Sequence, residues 1–202
     1  MVQAHILNDK QIHQGDVFLD IDYIEHADII DGHVDISIIR YPHVIIMSQE
    51  CDLTQDYDER YSTEDKKKSN DKLLHGIIVA PMYNYEHFRE GKHYSNLGYT
   101  MCTDFINQNK TPSRMLKQNN NPRYHFMEFD SSIPIVDSVV DFKHFFTVDI
   151  SSLYKYKKEK YVCSLDALFR ERLSQRFANY LSRIGLPTDK NEQDKKEDRE
   201  II

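Results

Sequence analysis

One segment constrains the fold more than any other part of the chain: residues 44–53, which read Val-Ile-Ile-Met-Ser-Gln-Glu-Cys-Asp-Leu. Its first four residues are apolar and rich in β-branched side chains, which is typical of a strand buried in a core. Polar and nucleophilic side chains follow at once, in Ser48, Cys51 and Asp52. Functional groups are often carried by the segment that follows a core element. The run therefore predicts a buried strand that ends at a candidate site.

Alternation of apolar and polar residues predicts an antiparallel meander over residues 15–48. Asp31-Gly32 has the composition of a two-residue hairpin turn. Beyond this turn, apolar side chains repeat at every second position: Val34, Ile36 and Ile38. This pattern is typical of a strand with one buried face. We expect Pro42 to end that strand before the run at Val44.

The middle of the chain has a weaker pattern. Residues 54–72 are polar and charged, which predicts an exposed and mobile loop. Residues 74–81 predict a buried strand that stops at Pro81, because proline cannot donate to a sheet ladder. Short helices are expected at three places in the following stretch: residues 85–89, 101–108 and 113–117.

Two further strands are predicted in the second half of the chain, over residues 123–129 and 139–148. In the second of them, alternation assigns three side chains to the core: Val140, Phe142 and Phe146. It assigns three others to the surface: Asp141, Lys143 and Thr147. Both strands are expected to join the antiparallel sheet of the first half.

An amphipathic helix is predicted over residues 164–184, because leucine and phenylalanine recur there at helical spacing. Ser164 is the expected N-cap, and Gly185 is the expected C-terminal stop. The charged residues 188–202 predict a disordered tail. Together the elements predict a single α+β domain over residues 1–187.

The net charge of −7 is unevenly distributed along the 202 residues. Residues 1–60 contain 13 Asp or Glu and three Lys or Arg, whereas the remainder contains 20 acidic and 23 basic residues. Proteins that bind nucleic acid mainly through phosphates usually carry a basic surplus. Sequence-independent nucleic-acid binding is therefore disfavoured unless a local basic patch overrides the total.

The cysteines favour a reducing compartment. Cys51, Cys102 and Cys163 lie far apart in the sequence, so no C-x-x-C pair is available for zinc and one thiol stays unpaired. The first residues lack the basic and apolar regions of a signal peptide, and no apolar stretch approaches the length of a membrane span. We therefore expect a cytoplasmic protein, and the sequence indicates neither a metal nor a cofactor.

Three segments together resemble a known framework. Gly15-Asp16-Val17-Phe18, the apolar strand that ends at Ser48, and residues 76–81 ending in Ala-Pro are similar to the strands of the MazF/PemK toxin fold. The resemblance covers roughly the first half of the chain. It implies a small, strongly bent antiparallel β-barrel, which the C-terminal helix would close.

The whole chain is also similar to an uncharacterised group of small bacterial proteins. The shared features are the Ser48-x-x-Cys51-Asp52 motif, the strand Pro122-Arg123-Tyr124, and a terminal helix that here contains residues 170–178. This second resemblance implies a bacterial host and a phage-defence, toxin–antitoxin or mobile-element setting. It implies no established activity.

The favoured function is recognition by a binding module. The groove of the implied barrel would present six candidate ligand-binding residues: Ser48, Cys51, Asp52, Arg123, Tyr124 and Asp141. The expected partners are a protein, a nucleic acid or a second copy of the chain, and no membrane. The helix is locally basic, and aromatic side chains beside the groove would supply stacking surfaces for a nucleic acid.

The alternative is a hydrolase of one of two kinds. In a thiol enzyme, Cys51 would be the nucleophile, His75 or His144 the base, and Asp52 or Asp141 the residue that orients the base. In a divergent endoribonuclease, Arg40 or Arg123 would stabilise the charged phosphorane. The sequence departs from MazF-type ribonucleases at Met82 and Tyr83, where those enzymes carry Ser or Thr.

Overall fold

The computed structural model describes residues 1–62 and 70–183, and in these residues the chain is an α+β protein built on one antiparallel sheet. The strands are β1 Ala4–His5, β2 Asp16–Ile30, β3 His33–Ile46, β4 Gly76–Asn84, β5 Tyr124–Met127, β6 Ser138–Asp141, β7 Phe146–Asp149 and β8 Tyr161–Leu165. The helices are α1 Glu50–Tyr61, α2 Tyr85–Arg89, α3 Thr111–Lys117, α4 Ile150–Lys160 and α5 Ala167–Leu181. None of these helices combines the length and apolarity that crossing a membrane requires.

The sheet is open, so the prediction of a closed barrel is wrong. Its strand order is β1-β8-β2-β3-β4-β6-β5, and β7 also pairs with β4. The two edges approach each other at a single bridge between Val2 and Phe129, where the Val2 amide donates to the Glu128 carbonyl at 2.6 Å. Edge strand β1 has only two residues, so the edges meet at this bridge without forming a ladder that would close the sheet.

Apolar side chains cover both faces of the sheet. One face carries Phe18, Val44 and Ile46, which pack with Leu53 of α1 and Leu153 of α4. The other face packs against α5 through a second set of buried residues: Val17, Ile45, Met82, Val140, Phe142, Leu173 and Phe177. Adjacent residues of the run at residues 44–47 therefore alternate between two cores, which explains why the run is apolar throughout.

Helix α1 replaces the mobile loop that was predicted from residue 54. The helix has few apolar residues, and Leu53 is its fully buried hydrophobic side chain. Polar contacts attach the helix instead. Asp56 is fully buried, pairs with Arg60 at 2.8 Å and accepts the Leu74 amide at 2.8 Å. The predicted loop also includes residues 63–69, which lie outside the described residues.

Proline does not end the strands as predicted. Strand β3 continues through Pro42, because β4 pairs with β3 only from His43 onwards and no ladder hydrogen bond is lost at the proline. Strand β4 likewise continues past Pro81 to Asn84. The Asp31-Gly32 turn is confirmed, with positive φ angles of 52° and 78° that suit a two-residue hairpin.

The predicted strand over residues 139–148 is divided into β6 and β7 by a 3₁₀ turn, Phe142–His144. Val140, Phe142 and Phe146 are buried, as predicted. Asp141 is buried as well, although the alternation placed it at the surface. Its carboxylate accepts the Lys143 amide at 2.9 Å and so caps the turn that interrupts the strand.

The remaining helix predictions are only partly right. Helices α2 and α3 form where two short helices were expected, but residues 101–108 form turns and coil instead of a helix. The C-terminal helix begins at Ala167 with Asp166 as its N-cap. Ser164 is not the cap, because it lies in β8 with its hydroxyl bonded to the buried Asp16. The helix ends at Leu181, with Ser182 as its C-cap, before the predicted end at residue 184. The predicted stop at Gly185 and the tail at 188–202 lie outside the described residues.

The packing of α5 predicts different effects for two leucine substitutions on this helix. Leu173→Ala should lower the free energy of unfolding by about 3 kcal/mol, because the side chain is 1 % exposed and its removal leaves a cavity. Leu168→Ala on the same helix should change it by less than about 0.5 kcal/mol, because Leu168 is 79 % exposed. Urea unfolding followed by circular dichroism measures both. Equal effects would contradict this placement of α5.

Candidate functional site

A buried carboxylate organises the cluster that contains most of the predicted site residues. Asp141 ends β6, and its side chain is fully buried. Arg123 donates to it twice, from Nε at 2.8 Å and from a terminal nitrogen at 2.6 Å. His144 Nδ1 lies 2.9 Å from the same carboxylate. Asp141 therefore holds a guanidinium and an imidazole side by side, and we call these three residues the Asp141 cluster.

The partners of Asp141 keep it ionised. Burial by itself would raise the pKa of Asp141, but the hydrogen bonds and charges of Arg123 and His144 outweigh burial and lower the pKa to about 2. The carboxylate is therefore charged at neutral pH. It neutralises the Arg123 guanidinium, which is 26 % exposed.

Tyrosines extend the Asp141 cluster towards a small cleft of about 460 Å³. The Tyr94 hydroxyl lies 3.1 Å from His144 Nδ1, and Tyr83 donates to Tyr94 at 2.5 Å. His93 lines the same cleft, and its Nδ1 is buried without a hydrogen-bond partner. Burial lowers the pKa of His93 to about 4, so this imidazole is neutral at physiological pH.

The structure brings together four of the residues predicted from the sequence: Arg123, Tyr124, Asp141 and His144. Tyr124 lies opposite Asp141 in the register of β5 and β6, and the Arg123 guanidinium lies 4.7 Å from the centre of the Tyr124 ring. Because Nδ1 of His144 is turned towards Asp141, its Nε2 is the nitrogen left for a ligand or a proton.

The other four predicted residues lie elsewhere, with different partners. The Ser48 hydroxyl accepts the Ile78 amide at 2.8 Å and joins the end of β3 to β4. Cys51 and Asp52 are exposed in the first turn of α1, and His75 is exposed just before β4. Among the described residues, no hydrogen bond or ion pair joins Ser48, Cys51 or Asp52 to Arg123, and the groove that would combine them stays a prediction.

Cys51 has no imidazole beside it. Its thiol contacts Asp52 Oδ1 at 3.7 Å, and no histidine of the described residues lies within hydrogen-bonding distance of it. The reason is local: the helix begins at Glu50, which turns Cys51 outward from the sheet. The thiol-enzyme mechanism therefore gains no support from the geometry and stays a prediction.

A larger cleft, of about 740 Å³, lies between the N-terminal segment, α1 and α4. Four tyrosines and three lysines contribute to its walls: Tyr57, Tyr61, Tyr154, Tyr161, Lys10, Lys157 and Lys158. We call it the Tyr–Lys cleft. The sequence analysis did not identify this site.

The aromatic wall of the Tyr–Lys cleft is formed by three tyrosines from two helices. The ring centres of Tyr57 and Tyr61 are 5.0 Å apart, and those of Tyr61 and Tyr154 are 5.3 Å apart. Tyr154 donates to the buried Asp56 at 3.3 Å, which fixes its orientation. Tyr61 is 51 % exposed and so offers ring surface to a ligand.

The lysines of the Tyr–Lys cleft have two different roles. Lys157 is 7 % exposed and contacts Asp16 at 3.2 Å, Asp9 at 3.1 Å and the Gln11 carbonyl, so its charge is already compensated. Lys10 and Lys158 are exposed, and neither pairs with a carboxylate of the described residues. Two cations of this cleft are therefore available to an anionic ligand.

A sequence signal for this cleft exists in residues 154–161, which read Tyr-Lys-Tyr-Lys-Lys-Glu-Lys-Tyr. Interleaved aromatic and basic residues are typical of surfaces that bind single-stranded nucleic acid. The signal covers only α4 and its end, whereas Lys10, Tyr57 and Tyr61 come from distant segments. Within the described part of the chain, no three His, Cys, Asp or Glu side chains are grouped so that they could hold a metal ion.

The Asp141 cluster makes a pH-dependent prediction. Asp141→Asn should lower the free energy of unfolding at neutral pH by about 3 kcal/mol, because it leaves Arg123 without its buried counter-charge. The pKa of Asp141 is lowered to about 2 in the folded protein, against about 3.9 when unfolded. Its contribution is therefore complete above pH 4 and is lost as the pH falls from about 4 to about 2.

Urea unfolding of both proteins at several pH values between 7 and 2.5 measures this effect. The difference between wild type and variant should shrink across the acidic range. Asp35→Asn is the control, because Asp35 is an exposed carboxylate of β3. A difference that stays constant down to pH 2.5 would contradict the role assigned to Asp141.

The chain matches no protein-family model and no curated protein. The resemblance to MazF/PemK toxins therefore stays a prediction.

Proposed function

We propose that the chain is a binding module for single-stranded nucleic acid and that the Tyr–Lys cleft is its binding site. The observation that carries this proposal is the combination of an exposed aromatic wall with unpaired lysines in one cleft. Proteins that bind single strands without strong sequence preference use stacking on aromatic rings together with cations along the backbone.

The tyrosines of the cleft suit the base of a nucleotide, and its lysines suit the phosphates. A base can stack on the exposed ring of Tyr61, beside Tyr57 and Tyr154. Lys10 and Lys158 can contact the phosphates that flank it. The rings are tilted towards one another at 46–86°, so the wall offers ring faces and edges of several orientations and favours no particular base.

The overall negative charge does not exclude this proposal, although the acidic residues 1–60 include the N-terminal segment and most of α1, which form part of the cleft. The charged side chains that line the cleft are one carboxylate, Asp9, and three lysines, Lys10, Lys157 and Lys158. Asp9 is compensated by Lys157 at 3.1 Å and His13 at 3.2 Å. A strand entering the cleft therefore meets more lysines than carboxylates.

A MazF/PemK-like arrangement of the bent sheet remains part of the proposal. It is supported by the antiparallel order β2-β3-β4 and by the near approach of the two sheet edges at Val2 and Phe129. A bacterial host and a phage-defence setting, which the resemblance implies, are compatible with a module that recognises nucleic acid.

Fluorescence anisotropy with labelled single-stranded RNA and DNA tests the proposed binding. Tyr61→Ala should weaken binding by about tenfold or more, because a stacked base contributes roughly 1–3 kcal/mol, whereas Tyr61→Phe should retain most of the affinity. Lys158→Ala should weaken binding and reduce the slope of log K against log salt by about 0.7 for the lost phosphate contact.

The matched control is Lys110→Ala, which removes an exposed lysine that lines neither of the two clefts. We expect its affinity and salt slope to equal those of the wild type. The proposal fails if the wild type binds no single strand at low salt, or if Lys110→Ala and Lys158→Ala have the same effect.

One observation favours a second function, phosphodiester hydrolysis by a divergent endoribonuclease. Arg123 and His144 share the carboxylate of Asp141, which places a cation beside an oriented imidazole. RNA cleavage needs a base for the 2′-hydroxyl and a cation for the charged transition state. His144 Nε2 can serve as the base. The Arg123 guanidinium is paired with Asp141 through Nε and one terminal nitrogen, is 26 % exposed, and can offer its second terminal nitrogen to a phosphate.

Incubation of the protein with labelled RNA distinguishes hydrolysis from binding alone. If the enzyme hypothesis holds, wild type produces fragments, and His144→Ala reduces the rate by about 100-fold or more with little change in melting temperature. Cys51→Ser is the comparison for the thiol alternative, which instead predicts loss of turnover in that variant. Intact RNA after incubation with wild type would remove the ribonuclease candidate while leaving the binding proposal testable.

A further inference from the structure

The hairpin of β2 and β3 extends well beyond the rest of the sheet. The two strands pair with each other out to Ile30 and His33. Their outer neighbours pair with them only at the base, since β8 contacts residues 16–18 and β4 contacts residues 43–46. Residues 24–38 therefore form a two-stranded projection about 20 Å long, which we call the arm.

One face of the arm is apolar and exposed. The register pairs Ile24 with Ile38, Ala27 with Ile36, and Ile29 with Val34, and directly paired residues lie on the same face. The five large side chains are strongly exposed: Ile24 58 %, Ile29 78 %, Val34 66 %, Ile36 48 % and Ile38 50 %. The sequence pattern at residues 34–38 thus does mark one face of a strand, but this chain does not bury that face.

The opposite face of the arm has a different composition. It carries His26, Asp28, His33, Asp35 and Ser37, and Ser37 donates to Glu25 at 2.9 Å. Ile30, near the tip, is the one large apolar side chain on this face. The two faces therefore differ strongly in polarity, as in a strand that packs on one side. An isolated two-stranded hairpin is only marginally stable in water, and a hydrophobic face needs something to cover it.

We propose that a second copy of the chain covers the apolar face of the arm, so that two arms pack face to face about a two-fold axis. The face is self-complementary, because it contains no charged side chain between its base and its tip. Charged side chains lie only at its two ends: Asp31 is at the tip, and the Arg40–Asp22 ion pair, 2.6 Å between Nε and Oδ1, is at the base of the same face. Antiparallel packing places the tip of each arm beside the base of the other.

The apolar area of the arm agrees with an interface between two copies of the chain. The fractional exposures correspond to an apolar surface on the order of 500 Å², which is as large as the largest apolar patch of a typical monomer, and such patches are often functional. Two such faces bury about 1,000 Å² together, the lower limit for a specific interface. The proposal is independent of nucleic-acid binding, because no residue of the Tyr–Lys cleft belongs to the arm.

Light scattering coupled to size-exclusion chromatography, over a range of concentrations of the full chain, tests the proposal. Wild type should be a dimer that dissociates on dilution. Ile36→Asp should weaken dimerisation by about 100-fold or more, because it places like charges close to the two-fold axis. His33→Asp is the matched control, since it adds the same charge on the opposite face of the arm and should leave the dimer intact.

Two further measurements separate loss of the dimer from loss of the fold and from an effect of the added charge. Circular dichroism should show that Ile36→Asp is folded, and Ile29→Ser, which adds no charge, should weaken the dimer in the same direction. Wild type that is monomeric at all concentrations overturns the proposal, as does a monomer that forms a complex only with a different protein. A dimer that resists both variants also overturns it, because the interface must then lie elsewhere.

Discussion

The ion pair between Lys157 and Asp16 is the interaction on which the geometry of the Tyr–Lys cleft depends. Asp16 begins β2 and is fully buried, where it accepts the His13 amide at 3.0 Å and the Ser164 hydroxyl. Burial raises the pKa of Asp16, and the positive charge of Lys157 opposes this effect, so the ionised form of Asp16 depends on Lys157. Because removing one partner of a buried pair is strongly destabilising, this contact fixes α4 against the N-terminal segment and β8.

The sequence predicts elements whose stability comes from periodic apolar burial. The run at residues 44–47 and helix α5 were visible in this way, whereas the hairpin turn was visible from its residues, Asp31 and Gly32. Helix α1 was missed because a buried Asp56–Arg60 pair attaches it and its sequence has no apolar stripe. The burial of Asp141 was missed for the same reason, since alternation does not show that Arg123 lies across from it.

The candidate sites differ in how far their residues could be predicted from the sequence. Arg123, Tyr124, Asp141 and His144 meet because β5 pairs with β6, so two predicted strands were enough to group them. Cys51 was grouped with these residues because it follows the buried strand at residues 44–47. In the structure, Cys51 lies in the first turn of α1, and its side chain is exposed. The Tyr–Lys cleft combines three segments that are distant in sequence. Tertiary contacts bring them together: Lys157 pairs with Asp9 and Asp16, and Tyr154 of α4 donates to Asp56 of α1.

Strand β2 connects the two proposals physically. Its first residue, Asp16, anchors the Tyr–Lys cleft, and its last residues, from Ile24 to Ile30, form half of the arm. An assembly joined through the arms therefore carries two clefts at a fixed separation. A strand long enough to reach both clefts binds the second one intramolecularly, so its affinity exceeds that of a short oligonucleotide without any new contact. Disrupting the arm should remove this length dependence and leave the binding of short strands unchanged, which separates a role in assembly from a role in the cleft itself.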